Sequence, residues 1–233
     1  MSHTPPSPQG IENHERSIES FLGTTERFVL DWLCRRMPLW VTPDVMTAVA
    51  IIGALMIAGA YALTNIDPAF LWLANLGLVL HWLGDSMDGS IARFRNIERP
   101  RYGYFVDHSI DGLSVFLIGF GIGLSPYVRL DVALLTLSSY LLILILVFVR
   151  TSVTGEFRMA YFRIGSTEIR LVMVLANCVV YVIGNPVVDT FLGPLSLYDM
   201  IGSVMGVLFL LAFVIVVFSF SRTLDREERS TRK

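Results

Sequence analysis

Four aspartates, Asp85, Asp88, Asp107 and Asp111, are the residues of this 233-residue chain best suited to chemistry. Asp85 and Asp88 are three positions apart, which on a helix separates them by about 60°, and Asp107 and Asp111 are four apart, or about 40°. Each pair therefore shares one helix face. Two antiparallel helices joined by the short link between them can turn both faces into one space. Four carboxylates confined there cannot all stay ionised unaided, because like charges repel and burial strips their hydration. Hard divalent cations resolve the conflict: oxygen-only ligands with no His or Cys cluster favour Mg²⁺ or Mn²⁺, and four carboxylates suffice for two ions.

The intervening residues suit such a site. Asp85, Asp88/Gly89 and Ala92 recur at i, i+3/4 and i+7, and Gly103, Asp107 and Asp111 at i, i+4 and i+8. Each carboxylate face thus carries a residue with little or no side chain, where a ligand or a neighbouring helix can approach the backbone. Arg93, one turn beyond, can neutralise a phosphate. His81, one turn before Asp85, reads as packing or as support for the carboxylates.

The elements that must hold these residues follow from composition. Hydrophobic residues make up 54% of the chain and charged ones 16%, with a mean hydropathy of +0.61. This excludes a disordered chain and argues against a water-soluble globule. Segments around 45–64, 69–84, 112–128, 132–149, 171–183 and 200–220 carry no charge. The expected fold is an all-α integral membrane protein with six transmembrane helices preceded by an amphipathic interfacial helix. Residues 1–10 read as a flexible tail, 11–41 as the amphipathic juxtamembrane helix, 42–221 as the six-helix transmembrane catalytic domain and 222–233 as a basic cytoplasmic tail. Thr42-Pro43 supplies a cap and a first-turn proline for the first span. The second span is apolar only from Ala69 to Gly84, about 24 Å of a layer about 30 Å thick, which puts the carboxylates at or just inside one membrane face.

Of the 18 Lys and Arg residues, all but Arg129 fall in the N-terminal segment, the second-to-third and fourth-to-fifth connections or the C-terminal tail. The positive-inside rule then places both termini and all four aspartates on the cytoplasmic side. The formal charge of −2 predicts no nucleic-acid partner. Cys34 and Cys178 have no metal-type spacing, and Cys178, in an apolar run, is expected to be a buried, inert thiol.

The string Asp85-x2-Asp88-Gly89-x2-Ala92-Arg93-x9-Gly103-x3-Asp107-x3-Asp111 resembles the signature of the CDP-alcohol phosphotransferase family, membrane enzymes that move a substituted phosphoryl group from a CDP-linked donor to an alcohol. Thr42-Pro43-Asp44-Val45-Met46-Thr47 is similar to a Thr-Pro-Asn-x-x-Thr segment that helps hold the nucleotide in relatives, with Asp44 in place of the asparagine. The resemblance implies donor contacts from Asp44, Thr47, Gly89, Ala92, Arg93 and Gly103. Pro100 stands where relatives often carry a Ser or Thr; it offers no hydroxyl, and Arg99 and Arg101 are the nearest substitutes. Asp107-His108-Ser109-Ile110-Asp111 and Gly165-Ser166-Thr167-Glu168 resemble the choline and ethanolamine phosphotransferase branch. There, a histidine oriented by a glutamate, here His108 and Glu168, takes the acceptor's proton. Elsewhere in the family the last aspartate, here Asp111, is assigned as the base.

The resemblance further implies a homodimer in the bilayer, a CDP-linked donor, a lipid or small alcohol acceptor and release of CMP. Two other readings stand beside this one. In a CDP-diacylglycerol-dependent phosphatidyltransferase the donor would carry the lipid, and glycerol phosphate, inositol phosphate or serine would accept. A divalent-cation carrier would need ionisable groups near the midplane, and the middles of the fourth, fifth and sixth spans have none. Arg150, Arg158, Arg163 and Arg170 suit either an anionic headgroup pocket or the membrane surface.

Overall fold

A computed structural model describes residues 23–154, 166–190 and 193–231. The expected tail 1–10, the start of the juxtamembrane helix, Arg158, Arg163, Gly165, Arg232 and Lys233 lie outside the described residues. The elements are α1 (Gly23–Cys34), α2 (Pro43–Leu63), α3 (Phe70–Phe94), α4 (Pro100–Gly123), α5 (Leu130–Thr154), α6 (Ser166–Ile183), β1 (Val187–Thr190), β2 (Gly193–Ser196) and α7 (Leu197–Thr231).

Local sequence explains most boundaries. Thr42 caps α2 by accepting a hydrogen bond from the Val45 amide at 3.3 Å, with Pro43 opening the first turn. At the head of α7, Ser196 Oγ accepts from the Asp199 amide at 2.9 Å while Asp199 Oδ2 accepts from the Ser196 amide at 2.9 Å, a reciprocal cap that also buries Asp199. One feature departs from the expected all-α layout. β1 and β2 pair antiparallel, with Val187 opposite Ser196 and Thr190 opposite Gly193. The tail expected from residue 222 continues α7 as helix through Thr231.

Among the described residues, five helices are long and apolar enough to cross a membrane: α2, α4, α5, α6 and α7. The remaining expected span, the second, is α3, which is long enough at 25 residues but falls short in apolarity, because Asn75, His81, Asp85, Asp88 and Arg93 lie along it. The same residues that give α3 its chemistry dilute its membrane signal. What is established is an α-helical integral membrane protein with several apolar spans.

The tightest packing is between α2 and α3. A Cβ at Gly84 would stand 2.6 Å from the Met46 carbonyl oxygen, and one at Gly53 would stand 2.8 Å from His81 Cα. Only glycine permits these backbone approaches, the usual way membrane helices maximise contact when lipid offers no hydrophobic gain. Deeper in the bundle a polar chain crosses three helices. Tyr61 Oη donates to Asn177 Oδ1 at 2.9 Å, Asn177 Nδ2 donates to Asn75 Oδ1 at 2.8 Å, and Asn75 Nδ2 donates to Cys178 Sγ at 3.8 Å. Cys178 is consequently only half-buried and hydrogen-bonded rather than sealed in apolar surroundings. Cys34 is the buried thiol, and that burial raises its pKa.

α1 lies against α3, burying Leu30 and Cys34 with Met87 and Ile91 while Phe28 and Trp32 face outward. Arg95, just past α3, fixes the link between α1 and α2: its guanidinium donates to the carbonyls of Val41 at 2.6 Å and of Met37 and Pro38 at 3.0 Å. Sequence reasoning counted Arg95 only as a loop charge.

Gly84→Val should overpack the α2–α3 contact beside Asp85. We expect a loss of about 1–3 kcal/mol, read as a lower unfolding midpoint in detergent; an unchanged midpoint would contradict the close approach.

Candidate active site

The close α2–α3 contact and the antiparallel turn into α4 set the site's geometry. Asp85, Asp107 and Asp111, all half-buried, each place a carboxylate oxygen so that the three lie within 4.8 Å of one another. Asp88 is held differently. Its Oδ2 accepts from Thr47 Oγ1 of α2 at 2.9 Å, and its Oδ1 accepts from the Gly89 amide at 2.6 Å. Thr47 is thus joined to the carboxylate system through Asp88.

Arg170 of α6 reaches the trio from the other flank. Its guanidinium donates to Asp85 Oδ2 at 2.6 Å, with side chains only 12% and 19% exposed, and also to Ser166 Oγ at 3.4 Å. An ion pair removed from water to this degree is far stronger electrostatically than one at the surface. Arg170 is therefore not a membrane-surface arginine. Arg150, by contrast, lies over the Phe220 ring at 4.7 Å, away from the aspartates in sequence and on the α5–α7 pair.

His108 sits beside Asp107, with Nδ1 3.4 Å from Asp107 Oδ2. Its ring stacks on Tyr104 at 4.2 Å and meets Phe148 of α5 edge-on at 5.6 Å. A cavity of about 410 Å³ between α4 and α5 is lined by Tyr104, Phe105, His108, Ser109, Gly112 and Phe148. Imidazole and carboxylates thus occupy adjoining faces of α4. Glu168 is half-buried in the first turn of α6, on the helix that delivers Arg170.

The remaining candidates lie on the same helices and the links between them. The Arg93 guanidinium folds back over Gly89, with Nη1 3.2 Å from where a Cβ would stand, and Ala92 is half-buried between them. Gly103, in the first turns of α4, opens onto free space. Asp44 pairs with Arg99, whose guanidinium also covers the Tyr102 ring at 4.1 Å. His81 is buried one turn below Asp85, and its Nδ1 has no hydrogen-bond partner among the described residues.

Sequence reasoning missed Glu26. Its Oε1 accepts from Trp82 Nε1 at 3.1 Å and from Ser86 Oγ and Thr167 Oγ1 at 3.0 Å each, so α1, α3 and α6 meet on one oxygen. A lone acid on an amphipathic helix gives no sign of this, since its partners are 56 to 141 positions away.

The donor set suits a hard divalent cation: three carboxylates close enough to share one, with no sulfur or imidazole within the trio. The helical fold and the carboxylate cluster are those of a membrane protein with a site suited to a divalent cation. Residues 40–223 match the family model for CDP-alcohol phosphatidyltransferase, and the chain belongs to that family. It is similar to cholinephosphotransferase 1 of Xenopus laevis, 28% identical over 119 residues, or 48% of this chain and 29% of the relative. Cholinephosphotransferase 1 of Rattus norvegicus is 32% identical over 129 residues, covering 52% and 31%. Archaetidylinositol phosphate synthase of Pyrococcus horikoshii is 36% identical over 99 residues, covering 42% and 50%. The chain thus spans under a third of the length of the cholinephosphotransferases it matches and half that of the archaeal synthase.

A guanidinium bonded to Asp85 competes with any cation for the same oxygens. Arg170→Gln should tighten Mn²⁺ binding about tenfold, or ~1.4 kcal/mol, by titration followed with electron paramagnetic resonance. Unchanged affinity would show that Arg170 does not compete for the trio.

Proposed function

We propose that this chain transfers a substituted phosphoryl group from a CDP-alcohol of the choline or ethanolamine type to a lipid hydroxyl, such as that of diacylglycerol, releasing CMP. The observation that carries the reading is the convergence of Asp85, Asp107 and Asp111, three of the four aspartates of the motif string, within 4.8 Å. In this reading α3 is the second of six spans, its polar face turned from lipid, and the arginine distribution sets the site and both termini on the cytoplasmic side.

Asp85, Asp88, Asp107 and Asp111 would hold two Mg²⁺ or Mn²⁺ ions, which supply charge neutralisation for the donor's pyrophosphate and for departing CMP. The chain's own residues do the rest. Thr47 fixes the orientation of Asp88. Gly89, Ala92 and Gly103 leave room for the donor along the backbone, and Arg93 offers its phosphates a cation, with Asp44 paired to Arg99. The acceptor hydroxyl attacks the β-phosphorus, the new P–O bond replaces the bond to CMP, and a base removes the hydroxyl proton. Asp111 is the first candidate for that base and His108 the second, with Glu168 as the group that would orient the imidazole. The aromatic lining of the His108 cavity favours a lipid acceptor, since an acyl-linked hydroxyl can reach it between α4 and α5.

A second reading has an observation of its own. Likeness to an archaetidylinositol phosphate synthase, together with an arginine beside the carboxylates, suits a donor that carries the lipid and a small phosphorylated acceptor.

CMP release should require Mg²⁺ or Mn²⁺ and proceed with CDP-choline or CDP-ethanolamine plus diacylglycerol; turnover only with CDP-diacylglycerol plus a small alcohol would move the assignment to the second reading. Asp85→Asn, Asp88→Asn, Asp107→Asn and Asp111→Asn should each lower turnover at least about 100-fold with little loss of folded protein, the scale expected when transition-state charge stabilisation is lost. His108→Gln should be the milder change if Asp111 is the base, and the more severe one if the imidazole is.

A further inference from the structure

Glu26 lies in the first turn of α1, outside the motif and its satellites, yet its Oε1 accepts three hydrogen bonds at 3.0–3.1 Å. Two of the donors, Trp82 and Ser86, are four apart on one face of α3, and Ser86 directly follows Asp85. The third, Thr167, sits in the first turn of α6, three positions before Arg170 and therefore on the same side of that helix. Arg170 in turn donates to Asp85 Oδ2 at 2.6 Å. The two helices are thus tied twice within one turn, once by Glu26 and once by the ion pair.

The two ties differ in kind. The Asp85–Arg170 bond joins groups that must remain available to substrate and cation. The Glu26 bonds join groups that are neither the clustered carboxylates nor their hydrogen-bond partners. A carboxylate is the economical choice for a three-way junction, because its oxygen accepts several hydrogen bonds and each is strengthened by the charge. Leu30 and Cys34, buried against Met87 and Ile91, hold the rest of α1 in place, so the Glu26 carboxylate is presented by a packed helix and not by a loose arm.

We propose that Glu26 is a positioning residue for the transfer reaction, tying α1 to α3 and α6 and so holding the helix that carries Arg170 against the helix that carries Asp85; the proposal rests on the transferase reading above. Glu26 is bonded to none of the four aspartates, and in the proposal it acts through the helices it joins. Its loss should therefore lower kcat and leave donor KM nearly unchanged.

The test uses the full chain in lipid nanodiscs, with CMP release followed for Glu26→Ala, Glu26→Gln and Thr167→Val. Glu26→Ala should lower kcat at least tenfold with KM within twofold, and Glu26→Gln, whose amide oxygen still accepts, should keep at least a third of wild-type kcat. Thr167→Val should lower kcat about threefold in the wild type and have no further effect on Glu26→Ala, since the hydroxyl then has no carboxylate to meet. A kcat within twofold of wild type in Glu26→Ala, a Glu26→Gln as impaired as Glu26→Ala, or a Thr167→Val effect that persists without Glu26 would each overturn the proposal. Should Glu26→Ala not fold, Thr167→Val decides alone, and wild-type kcat there overturns it. If the wild type turns over no CDP-alcohol, the transferase reading fails on its own. Amide hydrogen exchange in magnesium-free protein then tests Glu26: faster exchange at residues 166–170 in Glu26→Ala supports the tie, and unchanged exchange overturns it.

Discussion

Carboxylates repel one another, and the bundle is arranged around bringing three of them together. Asp85, Asp107 and Asp111 are half-buried with oxygens inside 4.8 Å, an arrangement that costs free energy in proportion to how little solvent can screen it. Neighbouring elements answer that cost in specific ways. The glycine contact of α2 with α3 brings Thr47 to Asp88 and takes that fourth carboxylate out of the crowd. α6 contributes the guanidinium of Arg170. α4, packed on α2 and α5, offers Asp107 and Asp111 on one face and His108 on the next.

Legibility from sequence follows the range of each interaction. Aspartates three and four apart are a local fact, so their placement along α3 and α4 could be read directly, as could Thr42-Pro43 at the start of α2, whereas the turn of Asp88 toward Thr47 could not. Membrane character followed from composition alone. The count of spans was harder, because α3 must be both a spanning element and the carrier of Asp85, Asp88 and Arg93, and each role masks the other. The strand pair of β1 and β2 went unread, since two strands of four residues each give no period to detect.

What sequence left open depends on which distant helix packs where. Arg170 had two readings until α6 was seen to lie on α3. Glu26 looked like one more charge on an amphipathic helix, and Arg95 like a cytoplasmic loop cation, yet one joins three helices and the other closes the backbone carbonyls between α1 and α2. Asn75 and Asn177 could have been suspected, because amides inside apolar runs need partners at membrane depth. Their identity as each other's partner comes only with the fold.

The bond between Arg170 and Asp85 has a consequence for biogenesis. Small metalloproteins whose ligands have no other neutralising group stay unfolded until an ion arrives. Here part of the anionic charge is balanced by a cation encoded in the chain itself. The charge on Asp85 is thus met within the fold itself, by a partner that assembles together with the helices that carry it.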